Sequence, residues 1–146
     1  MALWFGPADY TYAGVRHPAN NKWPKIVTDI MDKVNMSSSE HFNSALLNLY
    51  PTGEVGLPYH SDDEEIFDLK CIVGVSFGSA RNINFRIKKN RVVKSLILEN
   101  GSFYKMTGQK FQNTIEHEIP RSCTKDPRIS ITFRKIKAEH LSTPIS

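Results

Sequence analysis

The chain has 146 residues, 40% hydrophobic and 23% charged, with a formal net charge of +4 and a pI near 9.1. That length fits one domain over 1–146, no apolar run approaches the ~18 residues of a membrane span, and the opening residues Met1 to Gly6 lack the basic start and length of a secretory signal. Cys71 and Cys123 are too few for a disulfide framework or a cysteine-based zinc site, so the expectation is a cytoplasmic monomer with no membrane partner, whose basic charge leans toward a polyanion.

Residues 4–14 mix aromatics with turn formers and have no helical period, which predicts an extended arm or short hairpin. Trp4, Phe5, Tyr10 and Tyr12 are dense here; they either cover one end of the core or form a platform for stacking bases. After Trp23-Pro24 the spacing of Ile26, Val27, Ile30, Met31 and Val34 predicts one amphipathic helix that packs on a sheet and ends in the polar stretch from Met36 to Glu40.

From Phe42 the pattern changes to short strands: Ala45–Tyr50, Lys70–Phe77, Asn82–Ile87, Val92–Leu98, Ser102–Met106, Thr114–Ile119 and Ile129–Ile136. Turn chemistry separates them at Gly78-Ser79-Ala80, Lys88-Lys89-Asn90 and Asn100-Gly101. Many short strands with one flanking helix predict a mainly β fold (α+β), a sandwich or barrel, with residues 138–146 as a loose tail. The densest positive stretch is Arg81, Arg86, Lys88, Lys89, Arg91 and Lys94, either a solvated hairpin guarded against edge pairing or a ridge for a phosphate backbone.

The stretch from Tyr50 to Glu64 carries a His-x-Asp pair, His60 and Asp62. On a strand these two would share one face while Ser61 turns away. Imidazole plus carboxylate suits a borderline divalent metal, and one more histidine completes a facial triad. In a chain with five histidines the pair alone is weak, so its company decides. His17 and His140 sit in terminal polar stretches and His41 in a loop, which leaves His117, on a late strand, as the best third ligand. The alternation of Arg128, Ser130, Thr132 and Arg134 against Ile129, Ile131 and Phe133 puts two guanidiniums on one side of a strand, either exposed or facing a polar cavity where they would hold a carboxylate or phosphate.

The order His-x-Asp, His, then Arg with a second Arg six residues on, with Asn48-Leu49-Tyr50 upstream, resembles the iron- and 2-oxoglutarate-dependent dioxygenases of the AlkB family. The likeness runs from Tyr10 to Arg134, and the His-Ser-Asp-Asp-Glu wording at residues 60–64 is most similar to AlkB domains in replicase polyproteins of plant RNA viruses. The resemblance implies a double-stranded β-helix, or jelly roll, with Fe(II) held by His60, Asp62 and His117 as the catalytic centre, and O2 as co-reactant. It implies 2-oxoglutarate bound by Asn48, Tyr50, Arg128, Ser130 and Arg134, with Arg128 on the distal carboxylate. Many relatives carry Asn where Ser130 stands. The implied reaction is oxidative demethylation of N1-methyladenine and N3-methylcytosine, releasing formaldehyde, succinate and CO2. Its partners would be methylated RNA or single-stranded DNA, and its setting a larger polyprotein in the host cytoplasm. Tyr12 would stack on the base opposite His60, Glu64 would accept from the exocyclic amine, and Trp4 and Tyr10 would add base or backbone contacts. Two alternatives stand beside it: a 2-oxoglutarate-dependent hydroxylase of a protein or small molecule, and a non-catalytic RNA-binding jelly roll.

Overall fold

The computed structural model describes residues 1–141. Eleven strands and two α-helices follow in the order β1 (Ala2–Phe5), β2 (Tyr10–Tyr12), β3 (Val15–His17), α1 (Lys25–Ser38), β4 (Ser44–Tyr50), β5 (Leu57–His60), β6 (Phe67–Gly78), β7 (Arg81–Ile87), β8 (Val92–Leu98), β9 (Phe103–Thr107), α2 (Gln109–Thr114), β10 (Ile115–Ile119) and β11 (Arg128–Ile136). Among these described residues no helix is long and apolar enough to cross a membrane.

The strands form a five-stranded sheet, β1-β4-β11-β6-β9, and a four-stranded sheet, β5-β10-β7-β8, every pairing antiparallel. From β4 onward the chain passes back and forth between the two sheets, which is the winding of a jelly roll. The remaining pair, β2 and β3, is a hairpin over residues 10–17, turned through Ala13 and Gly14, both at positive φ. It reaches past the arm or hairpin expected over 4–14, of which Trp4 and Phe5 belong to β1 at the edge of the large sheet.

Strand β6 shows why the large sheet sits mid-molecule. Its residues are buried from Cys71 to Ser76 without alternation, so both faces are covered. On the outer face Cys71, Val73, Val75, Ile131 and Phe133 join Val27 and Phe42, with Ile30, Met31 and Val34 of α1 packed against them. The inner face joins a second cluster that includes Leu46, Phe67, Ile72, Ile83, Phe85, Met106 and Ile119.

Helix α1 runs from its Pro24 cap to Ser39, which adopts a left-handed conformation at φ 54°. Ile26, expected on the apolar stripe, is instead 70% exposed, because the stripe in contact is centred on Val27. The tail expected to be loose begins with a 3₁₀ turn at Ala138–His140, and residues 142–146 lie outside the described residues. Both cysteines are free thiols.

Phe133 is fully buried where α1 meets the large sheet. Phe133→Ala is expected to cost about 3–5 kcal/mol in urea-induced unfolding, and a loss under about 1 kcal/mol would contradict this packing.

Candidate metal centre

Antiparallel register brings two histidines together. His60 at the end of β5 pairs with His117 of β10, and His117 pairs on its other side with Phe85 of β7, so the three side chains form one row across the small sheet. The two imidazole centroids are 4.2 Å apart. The strand geometry expected for Asp62 does not hold: β5 ends at His60, and Asp62 lies in the loop beyond it. Its carboxylate is positioned by tertiary contacts instead. Gln112 of α2 accepts from the Asp62 backbone N–H at 3.0 Å, and Arg134 Nη2 donates to Asp62 Oδ1 at 3.0 Å.

One ligating atom from each of His60, Asp62 and His117 lies within 4.8 Å of the others. His60 Nδ1 is 2.8 Å from the Pro58 carbonyl, which can only accept. That contact fixes the proton on Nδ1 and leaves the Nε2 lone pair free, 3.8 Å from Asp62 Oδ1. Burial pulls the His117 pKa down to about 4, so its ring is neutral at pH 7 and its Nε2, 4.0 Å from Asp62 Oδ2, is a lone-pair donor rather than an ion-pair partner. Burial opposes the charge of Asp62, yet the Arg134 guanidinium beside it holds its pKa below the ordinary carboxylate range. Two imidazole nitrogens and one ionised carboxylate are the donor set of a facial triad for a divalent metal, which Fe(II) fits.

Strand β11 lies between β4 and β6 and supplies one wall of the adjoining cavity. Arg128, Ser130, Thr132 and Arg134 are all buried there, so the alternation read in the sequence points into the molecule. The cavity is lined by these four together with Asn48, Tyr50, Tyr12, Tyr104, His60, Asp62 and His117, which brings the expected metal and oxo-acid residues to one place. Arg128 Nη2 and Nε donate to Ser76 Oγ at 2.7 and 3.3 Å, and its guanidinium lies 5.1 Å from the Tyr50 ring centroid. Arg128 Nη1 and Arg134 Nε and Nη1 are buried with no hydrogen-bond partner among the described residues. Buried donors left unpaired are costly, and a bound carboxylate is the acceptor they lack. The residues present therefore fit an oxo acid beside a metal.

The aromatic arm divides. Tyr12 is on the cavity wall, its hydroxyl 3.4 Å from Asn48 Nδ2. Trp4 and Tyr10 are 3% and 4% exposed and pack on each other at 4.7 Å, so the structure places them inside the core rather than on a face open to a base. Tyr10 reaches the site only by donating to Glu64 Oε1 at 2.9 Å; Glu64 Oε2 is buried and without a partner among the described residues.

Sequence reasoning passed over three contributors. Gln112 sits in a six-residue helix too short to show a period, and Ser76 is a lone hydroxyl in an apolar strand. Tyr104 faces Gly74 across the β6–β9 pair, and a Cβ at Gly74 would fall 2.4 Å from the phenol ring, so glycine makes room for this wall of the cavity.

The profile of a family described as "2OG-Fe(II) oxygenase superfamily" matches residues 3–134. The chain is 27% identical over 158 aligned residues to "Alpha-ketoglutarate-dependent dioxygenase alkB homolog 3" of Homo sapiens, covering 99% of this chain and 54% of that protein. It is 32% identical over 137 residues to "DNA oxidative demethylase ALKBH2" of Homo sapiens, covering 87% and 52%. The chain thus spans about half the length of the curated relatives it matches. Among solved structures, "The structure of OsALKBH1" shares the fold with a TM-score of 0.62 at 16% identity, over 82% of this chain and 66% of that one.

Because the folded-state pKa of His117 is depressed below its unfolded value near 6.5, the unfolded chain takes up this proton first as pH falls. Metal-free protein is expected to lose on the order of 3 kcal/mol between pH 6.5 and about 4 from this group. Chemical denaturation in EDTA across that range should show the loss, flattened in His117→Gln; an equal slope in both proteins would refute the assignment.

Proposed function

The chain belongs to the 2OG-Fe(II) oxygenase superfamily, and from that premise we propose that it is a dioxygenase that removes N-linked methyl groups from bases in nucleic acid. The observation that carries the reading is the convergence of His60, Asp62 and His117 on one point, with guanidinium nitrogens of Arg128 and Arg134 that have no partner among the described residues in the same cavity. The relatives' names, a dioxygenase and a DNA demethylase, support the same activity.

The family's cofactors are Fe(II), 2-oxoglutarate and O2. His60, Asp62 and His117 would hold the metal. Arg128, with Tyr50 beneath its guanidinium and Asn48 and Ser130 alongside, would take the distal carboxylate of the oxo acid, and Arg134 would serve its metal end. Bound together, these groups supply the oxidant that hydroxylates a substrate methyl, with succinate and CO2 formed from the oxo acid and formaldehyde lost from the base. The protein's own work is positional. Arg134 keeps Asp62 ionised and aimed, the Pro58 carbonyl keeps His60 in its ligating tautomer, and Tyr104 and Leu57 help wall the cavity.

The substrates proposed are N1-methyladenine and N3-methylcytosine in RNA or single strands. A base inside a duplex stack cannot reach a recessed metal, and Tyr12 beside His60 offers a face for one that is unstacked. These methylated bases are cationic, and the carboxylate proposed to meet them is that of Glu64, one oxygen of which accepts from Tyr10 while the other is buried with no hydrogen-bond partner among the described residues. The replicase-polyprotein setting belongs to the same proposal and is supported by the sequence resemblance at residues 60–64.

Mass spectrometry of methylated RNA and DNA oligonucleotides incubated with protein, Fe(II), 2-oxoglutarate and ascorbate tests this reading. Methyl loss that requires 2-oxoglutarate and disappears in His60→Ala is expected; methyl loss unaffected by that substitution sinks it. Arg128→Met should raise the KM for 2-oxoglutarate about ten- to hundredfold, the worth of a buried charge-assisted hydrogen bond, in a succinate assay.

A further inference from the structure

The β7–β8 hairpin from Arg81 to Leu98 holds six cationic residues and no acidic one. The structure gives three of them internal work. Arg81 is buried and its Nη2 donates to the carbonyls of Val55 and Pro120 at 2.9 and 2.7 Å, a structural anchor far from the hairpin tip. Arg86 lies over the Tyr59 ring at 3.7 Å and pairs with Glu116 at 2.9 Å. Lys88 Nζ is 3.7 Å from Asp63. Lys89, Arg91 and Lys94 are exposed and have no ion-pair partner among the described residues.

Two of these free cations, Lys89 and Arg91, are at the tip, and the tip is built rather than loose. Lys89 turns the chain at φ 56°, Asn90 N–H donates to the Ile87 carbonyl at 2.9 Å, and Arg91 N–H donates to Asn90 Oδ1 at 2.8 Å. The tip also lies on the side of the metal centre. His117 pairs with Phe85, so Lys88 is three residues further along the hairpin, a distance of about 10 Å. Lys88 N–H donates to the Thr114 carbonyl at 3.0 Å, and Ser61 Oγ donates to the neighbouring Ile115 carbonyl at 3.0 Å. The contact from Lys88 to Asp63, which follows Asp62 directly, closes the link between the tip and the ligand loop.

We propose that this tip is a phosphate-binding element for the strand that carries the reacting base, with Lys89 and Arg91 on backbone phosphates of nucleotides beside it. The inference rests on the nucleic-acid reading above. A methylated base held by one stacking face and one carboxylate oxygen gains little affinity; phosphate contacts supply the sequence-independent part and set the register of the strand on the protein. Arg91 can take two phosphate oxygens at once, and Lys89 acts as a point charge. The ion pairs of Arg86 and Lys88 offset Glu116 and Asp63, two acidic groups that would otherwise repel a phosphate approaching this edge.

The test compares wild type with Lys89→Glu/Arg91→Glu and with a charge-matched control on the helix side, Lys22→Glu/Lys33→Glu, after melting curves show all three folded. Fluorescence anisotropy of a labelled, unmethylated RNA strand measures binding without catalysis. In the tip variant the Kd should rise on the order of tenfold, and the slope of log affinity against log salt should become shallower by roughly 1.4, the change expected when two single-strand phosphates are no longer neutralised. In turnover on a methylated strand the same variant should raise KM and leave kcat in place. A tip variant with wild-type Kd and slope, or a control weakened as much as the tip variant, overturns the proposal. Wild type that binds the strand through the tip yet removes no methyl group from it sinks the demethylase reading while leaving phosphate binding by the tip standing.

Discussion

The buried ion pair between Asp62 and Arg134 is the constraint on which the site depends. The two residues are 72 positions apart, one in the loop after β5 of the small sheet and one on β11 of the large sheet, and both are at most 5% exposed. A carboxylate or a guanidinium buried alone would be costly enough to force its neutralisation or open the structure; each is tolerable because the other is there. Burial opposes the Arg134 charge as well, and Asp62, with Tyr10 and Glu64, more than offsets it, raising its pKa. The pair therefore closes the two sheets over the cavity and presents an ionised carboxylate next to two imidazoles. Removing either partner would disturb fold and metal centre together, which makes the metal centre part of what holds the jelly roll shut.

Around that pair the large sheet works on two sides. Its outer residues, Ile131 and Phe133 among them, are covered by α1, while the same strand turns Arg128, Ser130, Thr132 and Arg134 inward. Each guanidinium is steadied by an aromatic ring, Arg128 at 5.1 Å from Tyr50 and Arg134 at 5.1 Å from Phe67. Stacking on a ring restrains the fork of donors at little desolvation cost, so the unpaired nitrogens stay aimed for a ligand.

Much of this was legible in the sequence, and the limits have physical causes. All seven expected strands occur, with ends shifted by a few residues, because alternation and turn residues are local signals. The same alternation gave the phase of Arg128 and Arg134 but could not say that a second sheet covers their face; that is a fact of tertiary packing. Residue type pairs His60 with His117, whereas their register across β5 and β10 comes from strand pairing at long range. Asp62 was expected to follow strand geometry and does not, since β5 stops one residue after Tyr59 and the loop takes over. Gln112 and Ser76 act through hydrogen bonds to one distant residue each, Asp62 and Arg128, and no pattern along the chain marks such a partner in advance. Trp4 and Tyr10 show the reverse: a dense aromatic arm carries no mark of which rings are swallowed by the core.

The central place of β11 has a consequence for biosynthesis. This strand fills the gap between β4 and β6, yet it is the last of the eleven to leave the ribosome. Until it inserts, Asp62 lacks its cationic counterpart and one wall of the cavity is missing, so a nascent chain can expose its histidines beside a carboxylate that Arg134 does not yet hold. Order of emergence thus acts as a safety catch: the cluster of two histidines and one aspartate gains its charged anchor only once the barrel has closed around it.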